Sequence, residues 1–165
     1  MISNERAPSD AASCATLDTP LGTIGVRWRG KTVTGIDLDP EPSVVKSDLP
    51  PEWFERQIRR YCREPGFSFS LPTALAGTAF QRRVWQLIRV IPAGRTRTYS
   101  DMATELDSSP RAVGGACRAN PYPLLVPCHR VVAVNGLGGF AGDSGGRLLA
   151  MKRRLLAHEG AWAPG

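Results

Sequence analysis

Residues 98–120 read TYSDMATELDSSPRAVGGACRAN, a pattern that predicts two short helices joined by a tight turn. Thr98 can cap a first helix, with Asp101 in its third position, running to about Leu106. Asp107-Ser108-Ser109 then turns the chain, and Ser109 as N-cap with Pro110 at the first helical position opens a second helix to about Ala119. Helix, short turn, helix in a basic setting is the pattern of a helix-turn-helix. The second helix has two faces. Val113, Ala116, Cys117 and Asn120 fall on one side and can pack inward, while Arg111, Gly114, Gly115 and Arg118 fall on the other. A glycine inside a helix costs ~1 kcal/mol relative to alanine, so two together imply close approach by another backbone. That backbone is either a packed helix or DNA.

The flanking sequence extends the pattern on both sides. Upstream, Thr78-Ala79-Phe80-Gln81 is a capping box, and Phe80, Val84, Leu87, Ile88 and Ile91 form an apolar stripe that Pro92-Ala93-Gly94 ends. Downstream, Leu124-Leu125-Val126 and Val131-Val132-Ala133-Val134 are β-prone runs on either side of Pro127-Cys128-His129-Arg130. Asn135-Gly136 signals a turn. A glycine-rich loop follows, and then a last amphipathic helix carries Leu148, Met151 and Leu155 and stops at Gly160.

The first half reads as a separate unit. Ile24, Val26 and Trp28 alternate with polar or small residues before Arg29-Gly30-Lys31 and the run Val33–Leu38, which predicts a β-hairpin. Four prolines between Pro40 and Pro51 mark a loop. Trp53, Phe54, Ile58, Tyr61 and Cys62 recur at helical spacing up to Pro65-Gly66, and Phe67, Phe69 and Leu71 suggest one more strand. The expected fold is therefore α+β. A disordered tail (1–13) precedes a small α/β domain of hairpin-containing sheet plus helix (14–75). A mostly helical domain (77–160) follows, with the helix-turn-helix and a cysteine site.

Charge is unevenly shared between these halves. Residues 1–77 hold nine Lys/Arg against ten Asp/Glu, whereas residues 78–165 hold twelve against five. The excess positive charge thus coincides with the helix-turn-helix half, which suits a polyanionic partner such as nucleic acid; a solvated basic face is the other reading. Hydrophobic residues at 42% with 22% charged residues fit a soluble globular chain. No apolar run reaches the ~20 residues of a membrane span, so no membrane partner is expected. Met1–Arg6 lacks the apolar stretch of a signal peptide, and a cytoplasmic location is the expectation. Cys14, Cys62, Cys117 and Cys128 form no C-x-x-C pair and the only histidines are His129 and His158, so neither a structural metal nor a cofactor is expected.

Cys128 carries the chemistry. A thiol becomes a useful nucleophile when a base or positive field favours its thiolate. His129 is the adjacent base, although neighbours on an extended chain point to opposite faces and a bend at Pro127 or a bridging water is needed. Glu159, at a helix C-terminus where the dipole disfavours it by ~0.3–1 kcal/mol, can orient a histidine as the third member of a relay. From the residues alone, a buried Cys-His pair and a solvated Glu159 remain open.

The segment Pro127-Cys128-His129-Arg130-Val131 closely resembles the active-site signature of the O6-alkylguanine-DNA alkyltransferases, also called methylated-DNA–protein-cysteine methyltransferases. The resemblance covers roughly residues 77–160. It runs through Gly77–Gln81, Ile91–Gly94, Thr98–Ser100, Arg111–Ala116, Asn120–Pro123 and His158–Gly160 in the family's order. It implies direct-reversal DNA repair: single-turnover transfer of a methyl or other alkyl group from O6-alkylguanine, and conceivably O4-alkylthymine, in double-stranded DNA to Cys128. It further implies a monomer. His129 would act through a water as base, Glu159 would orient it, and Asn120 would tie the recognition helix to the cysteine. Arg111 would fill the gap left by a flipped nucleotide and Tyr99 would help rotate it out, with Ala112, Gly114, Gly115 and Arg118 on the DNA-facing helix in the minor groove. Around the base, the resemblance implies Tyr99, Cys128, Val131, Phe140, Ala141 and Pro123 as the pocket. Phe140 stands where many members have tyrosine, Asp143 replaces a common glycine, and extra residues follow Gly142. A non-catalytic lesion binder of the same fold, which lacks the acceptor cysteine, a helix-turn-helix regulator and a cysteine hydrolase are the competing readings.

Overall fold

The computed structural model describes residues 12–41, 48–139 and 146–162. Three antiparallel strands, β1 (Ser13–Thr19), β2 (Gly22–Arg29) and β3 (Thr32–Leu38), form a sheet in the order β1-β2-β3. The expected hairpin is β2–β3, and β1 is a strand the alternation did not announce. Gly22, at φ +126°, makes the β1–β2 turn possible, and a Cβ there would meet the Met151 side chain at 3.0 Å. Helix α1 (Glu52–Arg63) buries Phe54, Ile58 and Tyr61, spaced for one face, and lines its outer face with the pairs Glu52–Arg56 and Glu55–Arg59.

Residues 67–71 do not form the expected strand. The Gln57 side chain accepts from the Ser70 N–H at 2.8 Å and donates to its carbonyl at 3.2 Å, taking the backbone groups a ladder would need. Phe67 and Phe69 instead pack edge to face, and Phe69 lies against Tyr61. Sheet-like pairing is confined to an isolated bridge between Val33 and Thr73.

Helix α2 (Ala79–Arg89) begins with the complete Thr78/Gln81 capping box. Its Trp85 Nε1 donates to the Ala116 carbonyl at 2.8 Å, fixing α2 against the segment that carries Ala116. A two-residue strand, β4 (Arg97–Thr98), leads into α3 (Tyr99–Glu105), capped by Thr98, and α4 (Pro110–Arg118) is capped by Ser109 with Pro110 in its first turn. These are the two helices of the predicted helix-turn-helix.

Leu124–Val126 is not a strand either. Prolines at 121, 123 and 127 cannot donate, and Leu124 takes φ +76°, outside the β region. The chain turns instead, through Val126 N–H to the Tyr122 carbonyl at 2.8 Å. Cys128–Arg130 form one 3-10 turn, so Cys128 opens a tight turn rather than ending an apolar strand. Then β5 (Val131–Val132) pairs in parallel with β4, Arg97 opposite Val131. The helix-turn-helix is thereby hydrogen-bonded to the segment that carries the cysteine. The last helix, α5 (Arg147–His158), closes with Gly160 at φ +74°, where Gly160 N–H reaches Ala157 and Ala161 N–H reaches Leu156, the two bonds of a Schellman motif. Buried apolar residues of the sheet, α1, α2, α4 and α5 form one core. Among the described residues, no helix is long and apolar enough to cross a membrane.

Candidate active site at Cys128

The 3-10 turn brings His129 inward, buried with Glu159 rather than opposite it across a strand. His129 Nε2 lies 2.9 Å from both carboxylate oxygens of Glu159. Arg130 adds a two-pronged contact, Nε to Oε1 at 2.8 Å and Nη2 to Oε2 at 2.9 Å, and the Tyr61 hydroxyl donates to Oε2 at 2.9 Å. Burial alone would favour the neutral acid, but the hydrogen bonds from Arg130 and His129 hold the Glu159 carboxyl down at about 2. Glu159 is therefore an acceptor at every contact, and His129 Nε2 must carry a proton. Burial lowers the His129 pKa, outweighing the hydrogen bond and charge of Glu159, so the ring is neutral with its lone pair on Nδ1. That Nδ1 is buried and has no hydrogen-bond partner among the described residues. It is a free base.

Cys128 is 4% exposed and lies in a cleft of about 440 Å3. Cys117, Arg118 and Asn120 from the end of α4 line the same cleft, as do Pro123 and the β3 segment from Ile36 to Leu38. The end of α4 thus forms one wall of the cleft. A hydrogen bond with the Cys117 thiol and burial push the Cys128 thiol well up, against the lowering effects of Asn120 and Lys152. At rest the acceptor is a thiol, and it needs a base. Asn120 Nδ2 donates to the Val126 carbonyl at 2.9 Å and contacts Cys128 Sγ at 3.0 Å, while its Oδ1 accepts from Tyr122 N–H at 2.9 Å. One amide joins the end of α4, the proline-rich turn and the sulfur.

Tyr99 stands across from this group. Its hydroxyl donates to the Gly139 carbonyl at 3.3 Å, and burial pushes its pKa up, so it stays a donor. Lys152 is fully buried, with its ammonium 2.7 Å from the carbonyls of Val131 and Leu137 and 2.9 Å from that of Gly139. Burial pulls its pKa to about 8. On α4, Arg111, Gly115 and Arg118 are exposed, with Ala112 and Gly114 half-buried. A Cβ built on Gly114 or Gly115 would meet nothing within 4 Å among the described residues, so packing against them does not account for either glycine.

Residues 79–161 match the family model described as the DNA-binding domain of 6-O-methylguanine DNA methyltransferase. A methylated-DNA–protein-cysteine methyltransferase of Archaeoglobus fulgidus is 40% identical over 124 residues, covering 73% of this chain and 81% of that protein. The constitutive methylated-DNA–protein-cysteine methyltransferase of Bacillus subtilis is 36% identical over 141 residues, covering 78% and 86%. This chain belongs to the methylated-DNA–protein-cysteine methyltransferase family. Among solved family structures, the Mycobacterium tuberculosis O6-methylguanine methyltransferase superposes with a TM-score of 0.75 at 32% identity, covering 93% of this chain and 96% of that one. The M. tuberculosis protein in complex with DNA gives 0.73 at 31% identity, covering 89% and 92%.

For this methyltransferase, then, the structure brings Cys128, Asn120 and Pro123 to one cleft and pairs the adjacent His129 with Glu159, while Tyr99 and Lys152 share the Gly139 carbonyl and Lys152 also holds that of Val131. Arg111 sits at the exposed start of α4, away from the relay. Phe140 and Ala141, expected in the pocket, lie outside the described residues, as do Gly142 and Asp143. Three groups escaped the sequence reading. Arg130 stood inside the signature without a role. Lys152 had a visible signal, because it shares the apolar face of α5 with Leu149, Leu155 and Leu156. Tyr61 is 98 residues from its carboxylate, and no local pattern could have paired them.

Proposed function

We propose that this protein repairs O6-alkylguanine in double-stranded DNA by moving the alkyl group irreversibly onto Cys128. The observation that carries the proposal is the cleft that Cys128 lines together with the end of α4, next in sequence to a neutral histidine held on an ionised glutamate. His129 Nδ1 takes the thiol proton through a water, and Glu159 stabilises the imidazolium that results. The sulfur then attacks the alkyl carbon in line with O6. A C–S bond forms, the C–O bond breaks, and the electron pair leaves on guanine. Tyr99, kept protonated, donates to the purine ring and stabilises that charge.

A base inside a duplex cannot reach this cleft, so the nucleotide must be flipped out, at a cost of a few kcal/mol. Arg111 at the start of α4 fills the vacated stack, Ala112 and Arg118 border the duplex, and the bare glycines let the minor groove come close. The carbonyls of Cys128 and Val131 read the guanine amino group, with Lys152 holding that of Val131 in place. Residues 14–75 serve the site through Tyr61. A thioether is not cleaved by water under mild conditions, so one chain repairs one lesion, as a monomer in the cytoplasm.

Mixing the protein with duplex DNA containing O6-methylguanine should add one methyl group, located on Cys128 by peptide mass spectrometry. Cys128→Ala should still bind the damaged duplex and take up nothing. Methyl found on any other residue, or an unmodified protein after complete mixing, would overturn the assignment.

A further inference from the structure

Alkyl transfer needs one thiol, yet this site holds two. Cys117, on the inward side of α4, lines the same cleft as Cys128, and lies near enough to it to help push the Cys128 thiol up. Asn120 braces both residues, its backbone N–H on the Cys117 carbonyl at 3.2 Å and its side-chain amide on Cys128 Sγ at 3.0 Å. Cys128 is buried and Cys117 half-buried, so an oxidant entering the cleft meets Cys117 first. The other two cysteines lie elsewhere, Cys14 in β1 and Cys62 in α1. A single-use nucleophile has no second chance once its sulfur is over-oxidised, because the sulfinic state is not reversed by thiols. A neighbouring thiol changes that outcome.

We propose that Cys117 and Cys128 form a peroxide-oxidised dithiol site, in which a reversible disulfide shelters the acceptor sulfur. The Cys117 sulfur attacks one peroxide oxygen and breaks the O–O bond, giving a sulfenic acid and one water. The Cys128 sulfur then attacks the sulfenic sulfur, and the hydroxide released combines with the thiol proton as a second water. Two thiols lose two electrons, and one peroxide becomes two waters. While the bond stands, Cys128 cannot accept an alkyl group. A small dithiol reductant returns both thiols by exchange.

The full-length protein is treated with stoichiometric hydrogen peroxide, blocked with N-ethylmaleimide and digested with trypsin. Cleavage after Arg111, Arg118 and Arg130 places the two cysteines on separate peptides, 112–118 and 119–130. The expected product is these two peptides joined, lighter by two hydrogens than their sum, with methyl acceptance lost and then restored by dithiothreitol. In Cys117→Ser, peroxide should abolish acceptance, measured against the variant's own untreated rate, and dithiothreitol should not restore it. Sulfinic acid on Cys128 beside a free Cys117 in the wild type, or a link to Cys14 or Cys62, would overturn the proposal. The joined peptide in the wild type decides the matter even if Cys117→Ser fails to fold. It is also read without any DNA, so a protein that links these cysteines but transfers no methyl group would defeat the repair assignment and leave the dithiol standing.

Discussion

The Tyr61 hydroxyl donates to Glu159 Oε2 at 2.9 Å inside the protein, joining α1 of the N-terminal half to the carboxylate that holds the base. His158 Nε2–H returns the contact by donating to the Tyr61 carbonyl at 2.9 Å. The first half of the chain therefore reaches the relay itself, besides supplying β3 to the wall of the cleft. Tyr61→Phe keeps the ring and removes one donor, so a stability loss of about 1 kcal/mol is expected. The remaining carboxylate is less neutralised and favours the imidazolium more, so the His129 pKa should rise. An NMR titration of the His129 ring reads this directly. An unmoved titration with slowed transfer would show that Tyr61 acts through packing alone.

Glu159 also sets the acid limit of the fold. Its carboxyl ionises at about 2 in the folded protein against 4.5 for an unperturbed glutamate, so the unfolded chain binds more protons between these values. Stability from this group is present above about pH 4.5 and is lost as pH falls toward 2. The contribution is on the order of 3 kcal/mol. Glu159→Gln should remove that dependence and leave the half-buried Arg130 without its counter-charge, costing about 3 kcal/mol at neutral pH. Urea unfolding from about pH 2 to about pH 7, which spans the window of the shift and the plateau above it, compares the two proteins. Parallel pH profiles would contradict the ionised assignment.

Lys152 makes a prediction of the same sign at high pH, for the opposite reason: here the charged form is the one that burial disfavours. Its ammonium is costly to bury, and its pKa is pulled to about 8 from 10.5, so above pH 8 the unfolded chain holds the extra proton. Stability attributable to this group should therefore rise with pH between about 8 and 10.5. Lys152→Met removes that rise and leaves the carbonyls of Val131, Leu137 and Gly139 without their donor, each at a cost of about 1–3 kcal/mol. Denaturant unfolding at pH 7 and pH 10 tests both halves of the statement. A variant as stable as the wild type at pH 7 would show that the three carbonyls are satisfied another way.

What the sequence disclosed and what it hid divide along one physical line. Caps, prolines and glycines act within a few residues, so Thr78, Thr98, Ser109, Pro110 and Gly160 marked helix ends where the structure has them. Strands depend on a partner that may lie far away. The alternation at 67–71 and the β-prone run at 124–126 were real, but Gln57 took the backbone of one and three prolines disrupted the other. The pairing of β4 with β5 was invisible for the same reason. At the site, Cys128, His129 and Glu159 were legible through the family signature. The contacts of Tyr61 and Lys152 were not, because they depend on distant carbonyls and carboxylates that only folding assembles.

The glycines of α4 provide a test in which two effects have opposite signs. Gly115 is exposed, helical and free of described neighbours within 4 Å of a built Cβ, so none of the described residues resists a methyl group there. Gly115→Ala should stabilise the fold by up to ~1 kcal/mol, since alanine is the better helix former and the unfolded chain loses freedom. If the bare backbone exists to let the minor groove approach, the same methyl must push DNA away. Duplex affinity should then fall several-fold while the melting temperature rises. Electrophoretic mobility shift and thermal denaturation on the same preparation measure both. A more stable protein with unchanged affinity would show that the duplex does not press against this face, and Arg111 would lose its place as the residue that enters the stack.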